Sequence, residues 1–271
     1  AVRMIEGLDR KAAAAVGMDP DRLDALVAFL DESYVASGKL AHMHFLLSRD
    51  EKPLLSVARG VARADGTPLR PDALYRIASM TKPVTSVAFM MLVEQGLVSL
   101  DTPFEAVIPE FAVLRVGRAN RAKPKRAMCM IDLLRHTSGL TYGLQRQTPI
   151  DARYRKLGLD EFQQNRTSDQ FIADLATLPL EFSPGERWNY SVSTDVLGVV
   201  VERLTGMDLE SLFQRRIFGP LGMADTTFML PDDKAARMTD AWRLEEDGDR
   251  VVADLGARSG WRRKGRFLSG G

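Results

Sequence analysis

The strongest constraint on the fold is one stretch, residues 77–96: Ile-Ala-Ser-Met-Thr-Lys-Pro-Val-Thr-Ser-Val-Ala-Phe-Met-Met-Leu-Val-Glu-Gln-Gly. Val84, Val87, Ala88, Phe89, Met90, Met91, Leu92 and Val93 make a nearly unbroken apolar run. A helix apolar on all sides is a buried helix, so a core has to be built around it. Gly96 suits its C-terminal stop. Pro83 suits the first turn, where a missing N–H costs little. Ser79 then falls at or just before the helix N-terminus, and Lys82 lies one turn on and on the same side. Free N–H groups at that end favour an oxyanion, and an amine within reach can take or hold a serine proton. This is the only Ser-x-x-Lys in the chain. Alone, it more often means a capping Ser and an exposed Lys.

A chain of 271 residues with 45% hydrophobic content can bury a sizeable core, in one large domain or two smaller ones. The net charge of +1 gives no global field for nucleic acid or a membrane surface. Cys129 is the single cysteine, which excludes an internal disulfide and a multi-Cys metal site and fits a reducing compartment. It is expected to be a buried, inert thiol. No signal-like core and no membrane-length apolar run are present. The expectation is a cytoplasmic protein with no cofactor and no metal, and no nucleic-acid or membrane partner. The oligomeric state is left open.

Along the chain, Asp19-Pro20 reads as an N-cap and first turn, followed by Leu23, Leu26, Val27 and Leu30 at helical spacing. Residues 41–48 and 54–62 read as a β-hairpin. His42 and His44 share a face of its first strand, but no third metal ligand is evident nearby. Residues 115–126 carry Arg115, Arg118, Arg121, Lys123, Lys125 and Arg126 with no acid between. Without interleaved aromatics this is better read as a solvated loop than as a phosphate patch. Residues 130–136 read as a short helix. Ser168 is expected to cap a helix that Pro179 stops, and two helices over 191–205 and 208–218 are separated by Gly206. Strands over 239–246 and 249–254 flank Asp247-Gly248, a strong hairpin signal. The domain expectation is an α/β part over 1–100, a helical part over 101–235 and an incomplete return to α/β over 236–271.

Several chemistries lack their signature. There is no Gly-x-Ser-x-Gly elbow, no phosphate loop, no dinucleotide fingerprint and no His-Glu-x-x-His. His136 is better read as bracing the turn before Gly139 than as a triad member. A serine without a histidine can use a Lys–Tyr pair, because a nearby ammonium makes a phenol more acidic. Tyr34, Tyr75, Tyr142, Tyr154 and Tyr190 are the candidates. Tyr190 stands at a helix entry, after Pro184-Gly185-Glu186-Arg187-Trp188-Asn189 and before Ser191. An interfacial aromatic is the competing reading.

Four motifs occur in order: Ser-Met-Thr-Lys at 79–82, His-Thr-Ser-Gly-Leu-Thr-Tyr-Gly at 136–143, Ser-Pro-Gly-Glu-Arg-Trp-Asn-Tyr-Ser-Val-Ser-Thr-Asp-Val-Leu-Gly at 183–198 and Phe-Gly-Pro-Leu-Gly-Met at 218–223. Together they resemble the serine β-lactamase and penicillin-binding-protein superfamily, and within it the family VIII carboxylesterases. The resemblance implies a class C β-lactamase-like fold, α/β plus all-α: an antiparallel sheet flanked by helices, with an inserted helical domain and the site in the cleft between. It implies Ser79 as acylated nucleophile, Lys82 as its proton partner and Tyr190 as general base and acid, with the Ser79 N–H giving half of an oxyanion hole. Tyr142 is expected to line the cleft. The partner implied is a small-molecule ester.

The sequence departs from the family in two places. Class C β-lactamases carry Tyr-x-Asn, and that Asn contacts the lactam's amide side chain. Here the third residue is Val192, a substrate-site position that cannot make the hydrogen bond, so esters are favoured over β-lactams. The late-strand Lys-Thr-Gly motif has no convincing counterpart, since Arg263-Lys264-Gly265 lacks the hydroxyl. The chain is therefore expected to lack the family's C-terminal strands and helix. A β-lactamase or D-alanyl-D-alanine peptidase, and a non-catalytic binding module on the same fold, are the alternatives.

Overall fold

The structure, a computed structural model, describes residues 6–117, 122–161, 165–262, 265 and 267–271. Arg118 and Arg121 of the basic run, and Arg263 and Lys264, lie outside the described residues. The chain forms two compact units, Ala1–Arg76 with Met229–Arg263, and Ile77–Phe228 with Lys264–Gly271.

In the first unit, the Asp9 carboxylate caps α1 (Arg10–Ala15) by accepting from the Ala12 N–H at 2.9 Å. Asp19 caps α2 (Pro20–Leu30) through the Asp21 N–H at 2.9 Å, with Pro20 in the first turn. Both use the short acceptor that leaves a helix's first N–H groups satisfied. β1 (Gly7–Leu8), β2 (His42–Arg49) and β3 (Lys52–Gly60) form an antiparallel sheet in the order β1-β3-β2. Central β3 buries Leu54, Leu55, Ser56 and Val57 in succession, because both its faces are covered. Asp50 and Glu51 join β2 to β3 at φ of 49° and 61°, a pairing whose twist matches the flanking strands. A second antiparallel hairpin joins β4 (Ala241–Leu244) and β5 (Arg250–Asp254) around Asp247-Gly248, with Gly248 at φ 91°. His42 Nδ1 lies 2.9 Å from the Val61 carbonyl oxygen, and His44 Nδ1 lies 3.2 Å from the Tyr75 hydroxyl. Both imidazoles pack on Tyr75. Among the described residues no group of three His, Cys, Asp or Glu side chains could hold a metal ion.

The second unit is helical. Its main elements are α3 (Thr81–Glu94), α4 (Met130–Leu134), α5 (Pro149–Leu157), α6 (Ser168–Ala176), α7 (Ser193–Thr205) and α8 (Leu209–Phe213). Here the structure corrects the sequence expectation. The helix buried on every side is α7, in which each residue from Ser193 to Val201 is buried. By contrast α3 buries Thr85, Ala88, Phe89 and Leu92, one stripe at helical spacing, and packs it on α7. Val87 is 51% exposed and Met90 38% exposed. Phe89, Phe104, Phe171, Phe213, Met130 and Tyr154 are among the fully buried side chains of this core, and burying each large apolar side chain stabilises the fold by about 1.5–3 kcal/mol.

Helix ends follow local chemistry. The Thr148 hydroxyl accepts from the Asp151 N–H while the Asp151 carboxylate accepts from the Thr148 N–H, opening α5. Thr167 and Gln170 do the same for α6, so the cap is Thr167 and not Ser168. Gly206 ends α7 at φ 69°, a conformation glycine adopts freely. Cys129, expected to be buried, is half-buried just before α4, where burial pushes its thiol up. No helix among the described residues is long and apolar enough to cross a membrane.

Candidate active site

Ser79 lies in the single turn Ala78–Met80 that leads into α3. Ala78 has φ +42°, a left-handed conformation that costs an L-residue free energy and persists only where its surroundings enforce it. Lys82, in the first turn of α3, donates from Nζ to Ser79 Oγ at 3.1 Å.

Two separate sequence motifs form the opposite wall. The Gly185 N–H donates to the Thr137 carbonyl at 2.8 Å, Asn189 N–H to His136 at 2.8 Å and Val192 N–H to Thr141 at 3.3 Å. The Asn189 amide donates to the Leu140 carbonyl at 2.9 Å. Gly139 allows this approach. It has φ +86°, and a Cβ there would stand 2.2 Å from the Phe182 carbonyl oxygen. The pairing fixes the backbone on both sides of Tyr190, whose hydroxyl donates to Ser79 Oγ at 2.7 Å.

Behind Tyr190, His136 Nδ1 lies 3.3 Å from Ser191 Oγ. Ser191 Oγ pairs with Ser193 Oγ at 2.7 Å, which pairs with Ser138 Oγ at 2.7 Å. The His136 ring lies 5.0 Å from the Tyr190 ring. Burial, and then the Lys82 charge, push His136 down to about 4. A neutral imidazole turned toward Ser191 braces the tyrosine.

Lys82 Nζ stands 4.8 Å over the Tyr190 ring and 5.5 Å over the Tyr142 ring. The Tyr142 hydroxyl donates to Asp195 Oδ2 at 2.9 Å. Burial, with the Asp195 charge, drives Tyr142 far above the usual phenol range. It therefore stays a neutral donor, and of the two tyrosines only Tyr190 touches Ser79. Asp195, 5% exposed in the first turn of α7, also accepts from the Ser269 hydroxyl. Burial raises its carboxyl, while Ser269, Lys82 and Tyr142 pull it back.

Of the candidate residues, Ser79, Lys82, Tyr190 and Tyr142 thus converge. Val192 does not join them. It is fully buried in the helical core, which leaves no surface for a ligand. Asp195 and Ser269 were missed. An acid in a first helical turn reads as an ordinary partner of the helix dipole, and nothing local marks Ser269 as its neighbour.

This arrangement can remove a proton from Ser79 and return it to a leaving group from one phenol, beside a fixed cation. A family model described as Beta-lactamase matches residues 24–262. Esterase EstB of Burkholderia gladioli is 36% identical over 225 residues, covering 79% of this chain and 56% of that protein. The solved structure of EstCE1, a hydrolase with promiscuous acyltransferase activity, has a TM-score of 0.77 at 25% identity and covers 87% of this chain and 60% of that one. A class C beta lactamase has a TM-score of 0.67 at 17% identity, covering 94% of this chain and 62% of that one, a likeness of fold alone. The chain spans about half the length of the curated relatives it matches. The fold is the class C β-lactamase-like one that the four motifs imply.

Proposed function

Because the chain belongs to the beta-lactamase family, we propose that it acts as a serine hydrolase, cleaving small to medium carboxylic esters through an acyl-enzyme on Ser79. The observation that carries this reading is the position of Ser79 Oγ, 2.7 Å from the Tyr190 hydroxyl and 3.1 Å from Lys82 Nζ. Tyr190, as phenolate, accepts the Ser79 proton while Oγ attacks the ester carbonyl. The C–O bond to the alcohol breaks as Tyr190 returns that proton to the departing oxygen. Water then attacks the acyl carbon with Tyr190 again as base, which releases the carboxylic acid and restores Ser79. The Ser79 N–H supports the oxyanion; each such donor contributes about 10²–10³ in turnover. The similarity to esterase EstB supports an ester over a β-lactam. The description of EstCE1 supports a second outcome on the same site, capture of the acyl group by an alcohol instead of water. A cytoplasmic location and a small-molecule partner belong to the same reading.

The test is intact-mass spectrometry of the full-length protein after brief exposure to a chromogenic short-chain ester and, separately, to a penicillin. We expect a burst of alcohol matched by an acyl adduct, both absent in Ser79→Ala, with the ester adduct clearing faster. A folded protein that gives neither burst nor adduct overturns the hydrolase reading. Tyr190→Phe should lower kcat by about 10²–10⁴ with KM little changed, and a near-normal rate would remove Tyr190 from the mechanism.

A further inference from the structure

Three polar atoms from three separate segments meet over the Gly271 backbone. A Cβ placed on Gly271 would lie 2.9 Å from Asp195 Oδ2, 3.0 Å from Lys82 Nζ and 3.2 Å from the Tyr142 hydroxyl oxygen. None of the steps proposed for Ser79 and Tyr190 uses Asp195, yet it is a carboxylate almost wholly withdrawn from water. Burying an ionised carboxylate is unfavourable unless it is paired and hydrogen-bonded. Its hydrogen bonds come from Tyr142 and Ser269, both neutral donors. Among the described residues, Lys82 is the cation whose charge acts on it, and its Nζ shares that point over Gly271.

We infer that Asp195 is a positioning residue: its carboxylate is the fixed countercharge that holds the Lys82 ammonium over Tyr190 and against Ser79. This rests on the serine-hydrolase reading. The charged and titratable groups around Lys82 are Tyr190 and Tyr142 by ring contact, Asp195 from α7 and His136 from the loop behind. His136 is neutral above about 4, and Tyr142 stays a phenol. With Tyr190 protonated, Asp195 is thus the anion of the group. Its reach is short because Tyr142 fixes one of its oxygens and Ser269 the other. Free of Asp195, the Lys82 side chain has rotamers that leave Ser79, so the loss falls on the chemical step and not on binding.

The test labels aspartate carboxyl carbons with ¹³C and follows the Asp195 signal with pH in the unmodified protein and in Lys82→Met, with Asp195→Asn for assignment. If Lys82 is its countercharge, removing the ammonium raises the Asp195 midpoint by about one pH unit or more. A carboxylate that merely ties Tyr142 to Ser269 would not move, and an unchanged midpoint overturns the inference. In parallel, Asp195→Asn should lower kcat about 10- to 100-fold with KM nearly unchanged. A rise confined to KM, or a full rate, also overturns it. The carboxyl titration needs no turnover, so a protein without ester activity would sink the hydrolase reading while still deciding the Asp195–Lys82 pairing. Should Asp195→Asn not fold, Tyr142→Phe identifies the same signal through the loss of its donor.

Discussion

His136 carries the clearest pH signature of any single residue. Its folded value is depressed to about 4, while a free imidazole titrates near 6.5. Between those values the unfolded chain binds more protons, so stability rises with pH across that window and is lost as pH falls through it. Allowing for solvent screening, the loss from pH 7 to 4 should be roughly 1–2 kcal/mol. Thermal melts at several pH values read it, and His136→Asn should flatten that part of the curve. Asn tolerates the left-handed backbone that His136 adopts at φ 56°, so the variant tests titration and not turn geometry. An unchanged slope would assign the acid sensitivity to the carboxylates. At this scale the sequence offered Ser79, Lys82, Tyr190 and Tyr142 as candidates because their motifs are local. Asp195 escaped notice because its burial is set by residues 142 and 269, far away in the chain.

Among the elements, α3 separates pattern from burial. Its sequence is apolar nearly all round, yet only the stripe through Phe89 faces α7. Phe89→Ala should cost about 3–5 kcal/mol, whereas Val87→Ser on the exposed side should change stability by less than about 0.5 kcal/mol. Urea denaturation of both variants measures this, and similar losses would mean the helix is covered on both sides. The pairing of residues 136–142 with 181–192 depends on Gly139. Gly139→Ala meets both an unfavourable φ and the Phe182 carbonyl, so a loss of about 2 kcal/mol or more is expected, along with lower turnover as Tyr190 shifts. Caps were legible where a short polar side chain precedes the helix, as at Asp19. The Thr148-Pro149-x-Asp151 start of α5 was equally legible and went unread, because no strong apolar period follows it.

For the whole molecule, the last described segment links parts of the helical unit that are distant in sequence. Phe267 stacks on Phe171 with ring centroids 4.3 Å apart, and the Thr85 hydroxyl donates to the Gly270 carbonyl at 2.7 Å. A Cβ on Gly270 would stand 2.4 Å from the Thr194 carbonyl oxygen and 3.3 Å from the Gly198 Cα. Gly270→Ala should therefore push this segment off α7, costing about 1–3 kcal/mol, and draw Ser269 away from Asp195. Urea denaturation gives the first effect and steady-state kinetics the second. Normal stability would show that residues 267–271 do not seat on α7 in solution.

By itself the sequence determined what is local. It set the hairpins from their turns, the helix ends from Asp, Thr, Pro and Gly, the Ser-x-x-Lys on one helix turn, and the family likeness from four motifs in order. Only the tertiary structure decided which helix is central, because an apolar run records what can be buried and not how many neighbours cover it. It also decided that Val192 is core and that Asp195 is drawn in beside Lys82 and Tyr142. Both outcomes follow from contacts between segments remote in the chain, whose closeness is set by packing and has no local signature.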